Sequence, residues 1–94
     1  MTAMLDFELP ERPRVAEDPT FLSFLRANSD AGISVSAARL RKLDTPLVQL
    51  LLAAAAQWRA RGLPFRLTGL PPDRVDQLRA LGVTPDMLPL ETAA

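Results

Sequence analysis

The sequence predicts an α/β fold: a small open mixed sheet of about four strands with helices packed mainly on one face. Three observations carry it. Segments 5–9, 33–37 and 63–68 place apolar residues at a period of two, as half-buried strands do. Between them lie segments whose apolar residues recur at helical spacing. Prolines open those helical segments and glycines close them. Crossovers of a dozen or more residues between strands favour a partly parallel sheet.

The first strand is Leu5-Asp6-Phe7-Glu8-Leu9, and Pro10 and Pro13 prevent it from continuing as a regular central strand. Asp18-Pro19 then offers a capping side chain and a proline at the first helical position. Phe21, Leu22 and Leu25 share one face, so residues 19–28 read as a helix, closed by turn formers from Asn28 to Gly32. Residues 33–37 form the second strand. Residues 40–43 read either as a short edge strand or as a loop. A helix over 46–61 ends at Gly62, the expected left-handed residue after a helix. Leu63, Phe65 and Leu67 share one side of the next strand. Pro71-Pro72-Asp73 starts a helix carrying Val75, Leu78 and Leu81, which Gly82 stops. Thr84-Pro85 begins a last turn, and Glu91-Thr92-Ala93-Ala94 reads as a frayed tail. The 94 residues are read as one domain, 1–94, with its core at 5–83 and a tail at 84–94.

Composition narrows the function. Eleven basic and eleven acidic residues cancel, which argues against nucleic acid as a partner. There is no cysteine and no histidine, which removes disulfides, thiol chemistry, the usual zinc ligands and the usual general base. No carboxylate constellation defines an enzyme, and neither a metal nor a cofactor is expected. Residues 1–9 carry Asp6 and Glu8, unlike a basic-then-apolar export signal. The longest apolar run, 50–56, falls far short of the ~20 residues that cross a bilayer. A cytoplasmic protein without membrane insertion is the expectation.

The most telling stretch is Leu43-Asp44-Thr45-Pro46-Leu47, where the chain turns into a strongly apolar helix. As a structural feature it is a helix start, with Thr45 as the cap and Pro46 at the first helical position. Leu47, Val48, Leu50, Leu51, Leu52, Ala54, Ala55 and Trp58 cover an arc of roughly 200°, and a helix on one sheet face needs about 100°. Leu51, Ala55 and Trp58 sit at its centre and read as core. Leu50 and Leu52 lie at opposite margins. Either neighbouring helices cover both margins, or one is left for a partner. Arg59, Arg61 and Arg66 read as a solvated face or as a site for phosphate or acidic partner groups, and Arg39, Arg41 and Lys42 as a solvated face or the flank of a docking surface.

This order resembles the STAS domain, the fold of bacterial anti-sigma factor antagonists. The family carries Asp-Ser-Ser/Thr-Gly-Leu or Asp-Thr-Ala/Ser-Gly-Leu between a core strand and an apolar helix. A basic segment ending in glycine follows, then a strand and a helix closing in Leu-Gly. Here these are Leu43-Asp44-Thr45, Leu50-Leu51-Leu52-Ala53-Ala54-Ala55, Arg59-Ala60-Arg61-Gly62, Phe65-Arg66-Leu67-Thr68-Gly69 and Leu78-Arg79-Ala80-Leu81-Gly82-Val83. Pro46 stands where the antagonists have their phosphorylated serine, and Leu47 where the family has glycine. The resemblance implies a regulatory protein-binding domain, not an enzyme, docking through Asp44, Thr45, Pro46, Leu47 and Leu50. Thr45 is the candidate for phosphorylation, because Pro46 has no hydroxyl. The implied partner is a kinase-like anti-sigma factor or a chemotaxis signalling protein. The alternative is an accessory subunit that binds the ATPase of a phospholipid-transport ABC complex. A small-ligand sensor is a third reading, for which the residues give no pocket signature.

Overall fold

Alternation along the strands sorts the sheet into a dry face and a wet one. The computed structural model describes residues 4–84, 87, 88 and 90–92. Its elements are β1 (Met4–Glu8), α1 (Thr20–Ala27), β2 (Gly32–Ser36), α2 (Thr45–Ala60), β3 (Phe65–Leu70), α3 (Pro72–Ala80) and β4 (Leu90–Thr92). The sheet order is β1-β2-β3-β4. Register sets Leu5 beside Ile33 and Ile33 beside Phe65, with Phe7, Val35 and Leu67 forming the next inward row. Ile33, Val35 and Leu67 are completely buried. The intervening rows, Asp6-Ser34-Arg66 and Glu8-Ser36-Thr68, are exposed or half-buried. The polar face is open.

The helices cover the dry face through aromatic contacts. Phe7 of β1 meets Phe21 and Phe24 of α1, with ring centroids 5.0 and 4.9 Å apart. Trp58 of α2 lies against Phe65 of β3 at 5.9 Å. Its indole Nε1 donates to the Ala31 carbonyl at 2.7 Å, so burying this large ring leaves no unpaired donor. Leu78 of α3 joins the same core.

Helix ends follow from single residues. Gly62 has φ +70°, and the chain reverses there: Gly62 N–H donates to the Arg59 carbonyl and Leu63 N–H to the Trp58 carbonyl. The same pair of bonds recurs at Gly82, where Val83 N–H reaches the Leu78 carbonyl. At the start of α1, Pro19 holds the cap position in place of the expected Asp18. Asp18 still accepts from the Thr20 amide at 3.0 Å, and the Thr20 hydroxyl and amide hold its carboxyl below the ordinary value.

The α/β class and the helices on one face agree with the sequence reading, with four corrections of detail. Every strand pairing among the described residues is parallel, where a mixed sheet was expected. Residues 40–43 take the loop alternative left open in the sequence, and the correction is that the fourth strand is β4, inside the segment read as a tail. Leu88 is fully buried, so the core extends past residue 83. Leu81 is 60% exposed, because α3 has already ended and the reversal at Gly82 turns Val83 inward instead. Pro85, Ala93 and Ala94 lie outside the described residues.

Leu51 is completely buried at the middle of α2, whereas its neighbour Gln49 is exposed. Urea denaturation is therefore expected to show Leu51→Ala losing about 2–5 kcal/mol. Gln49→Ala should stay within about 0.5 kcal/mol of the parent. Equal effects would mean that α2 does not pack as described.

Candidate functional site

The start of α2 is built one residue earlier than the sequence suggests. Asp44 is extended, with φ −92° and ψ 167°, and its Oδ1 accepts from the Leu47 amide at 3.0 Å. The Asp44 carbonyl accepts from Val48 N–H at 3.1 Å, the first helical bond. Asp44 is thus the cap, Thr45 the first helical residue and Pro46 the second. The expected capping by Thr45 is corrected for a reason of register. The amide that a cap at Thr45 would need, that of Val48, is already bonded to the Asp44 carbonyl. Among the described residues, the Thr45 hydroxyl makes no hydrogen bond.

The loop leading into this corner is fastened from two sides. Arg41 and Lys42 amides both donate to the Glu11 carbonyl, at 2.9 and 3.2 Å. From α3, the Arg74 guanidinium donates to the Arg41 carbonyl. An Arg41–Glu11 ion pair at 3.3 Å adds to this, although both groups are exposed and such pairs are worth little. Arg12, Pro13, Arg14, Lys42 and Asp44 line a small cavity of about 90 Å³ beside the helix start.

The five residues singled out in the sequence do not share one environment. Thr45 and Pro46 are exposed, Asp44 is half-buried by its capping role, and Leu50 is half-buried. Leu47 is 1% exposed and belongs to the core, so it has no surface to offer a partner. Its assignment as a contact residue is corrected. The signal was present: Leu47 precedes Leu51 by four residues and Trp58 by eleven, on one helical stripe.

Leu50 opens onto something the sequence did not reveal, a groove of about 420 Å³ between α1 and α2. Buried Leu25, Ala54 and Trp58 lie at its base, half-buried Leu22 and Leu50 form walls, and Arg26 and Arg61 also line it. Arg61 donates to the Ser29 carbonyl at 2.6 Å, which ties the end of α2 to the turn after α1. The sequence places α1 along the chain, but its position beside Leu50 of α2 follows only from the sheet order. Among the described residues, no group of three or more carboxylates, histidines or cysteines is arranged to hold a metal. No helix there is long and apolar enough to cross a membrane.

Removing the Asp44 carboxylate leaves the Leu47 amide without its partner. Asp44→Ala is expected to cost about 1 kcal/mol in chemical denaturation. Thr45→Ala should change stability by less than about 0.5 kcal/mol. The opposite ranking would make Thr45 the cap.

Comparison with curated proteins and with solved structures gives no match. A family model described as "Mlab, STAS domain" matches residues 19–89, a span that runs from the residue before α1 to the residue before β4 and includes the Asp44-capped helix start. With most of its length matched, and with the fold just described, this chain belongs to the STAS family.

Proposed function

We propose that this chain is a regulatory protein-binding domain that docks a partner at the start of α2 and catalyses no reaction. Binding other proteins is how STAS domains generally act. The observation that carries the reading is the exposed Thr45-Pro46 step between two fixed residues. The Asp44 cap holds it on one side and buried Leu47 on the other. A surface fixed before binding loses little conformational entropy on association.

Pro46 rules out a phosphorylated hydroxyl at its own position, and the exposed Thr45 hydroxyl stands next to it. A phosphate on Thr45 would sit in the first turn of α2, where anions are favoured, near the cavity lined by Arg12, Arg14 and Lys42. The partner in this reading is a kinase-like anti-sigma factor or a chemotaxis signalling protein. A second reading, the ATPase of a phospholipid-transport ABC complex, is favoured by the Asp44-Thr45 start, the form carried by STAS-like subunits of that class.

Affinity capture from the native host, read by mass spectrometry, tests the proposal. The parent and Thr45→Val are expected to capture the same protein, and Thr45→Glu and Thr45→Trp to lose it with unchanged circular dichroism. A signalling protein among the captured material supports the first reading, and a membrane ABC ATPase the second. Capture by all four variants alike would move the docking surface away from this corner.

A further inference from the structure

We propose that the groove between α1 and α2 seats an amphipathic helix of a partner protein, with acidic side chains of that helix set against Arg26 and Arg61. The groove is lined by neither Thr45 nor Pro46, so the inference goes beyond the docking reading above and stands apart from it. Leu22 and Leu50 supply half-buried apolar walls, and Ala53 is exposed between them and the end of the groove, leaving room for large side chains from outside. α2 carries an apolar arc of roughly 200°, about twice what contact with one sheet face requires, and its Leu50 margin is the part that opens into this groove. Two helices side by side present the ridges and groove into which a third helix packs.

Charge decides the kind of helix. Arg26 lies in the last turn of α1 and Arg61 caps the end of α2, and the Arg61–Ser29 hydrogen bond brings those two ends together. Both cations therefore sit at one end of the groove, and no carboxylate lines it. Among the described residues Arg26 has no ion-pair partner. A partner helix with glutamates or aspartates at one end and leucine-like residues along one face complements this arrangement. A lysine-flanked helix would bring like charges together.

The test uses the full chain, labelled with ¹⁵N, and a pair of synthetic helical peptides of about 18 residues, or five turns. Both have the same leucine stripe. One carries glutamates at one end and the other lysines. The glutamate peptide is expected to shift the amides of Leu22, Arg26, Leu50, Ala53 and Gln57, and to bind at least about tenfold more tightly than its lysine twin. Arg26→Glu leaves Arg61 opposed by the new carboxylate and should abolish the preference. Ala53→Asp, at an exposed position, should weaken the glutamate peptide by about tenfold without changing the circular dichroism. Equal affinity of the two peptides, or shifts that avoid the groove, would overturn the proposal. So would self-association of the parent chain that Ala53→Asp abolishes, because the groove would then belong to a second copy. The Thr45 variants report on the corner and the peptides on the groove, so each idea fails separately.

Discussion

A sheet that buries only one face needs a helix able to cover it from a fixed starting point, and in this protein that helix is α2. Leu47, Leu51, Ala54, Ala55 and Trp58 pack inward along it, and Trp58 reaches across to Phe65 and the Ala31 carbonyl. Asp44 determines where that stripe begins. Its carboxylate holds the Leu47 amide and its carbonyl holds Val48, so the phase of the whole helix is set at one residue. A slip of one position would rotate every core residue of α2 by about 100°.

The same constraint creates the surface proposed above for docking. Residues that start a well-packed helix are held still, yet the first two of them, Thr45 and Pro46, remain in solvent. The loop before them is fastened to Glu11 and to Arg74, so the corner is supported from β1's side of the chain and from α3. Proline at the second helical position costs nothing there, since its missing N–H would have no intrahelical partner. The wet sheet face, with Asp6, Glu8, Ser34 and Ser36, carries no comparable combination of fixed backbone and apolar margin.

Much of this was legible in the residues. Period-two alternation located β1, β2 and β3 to within two residues, and the Gly62 reversal ended α2 where expected. What stayed hidden depends on tertiary neighbours. Asp44 and Thr45 both carry a side-chain oxygen able to accept from an early helix amide, and the first helical hydrogen bond assigns the cap to Asp44 where the sequence suggested Thr45. Leu50 and Leu52 looked equivalent as margins until α1 was placed beside Leu50. β4 spans three residues, too few to show a period, and is defined by pairing with β3 across a register shift at Gly69. Basic residues at Arg12, Arg14 and Arg26 lie far from the helix start in sequence, and the fold brings the first two to it.

The most direct measurement is site-specific photocrosslinking in the native host, with a photoreactive side chain at position 45 and, in a separate strain, at position 6 on the wet sheet face. Both positions are exposed, so neither substitution disturbs the core. A single discrete protein adduct from position 45 and none from position 6 is the expected result. An adduct from position 6 alone would contradict the assignment of the α2 corner as the docking surface.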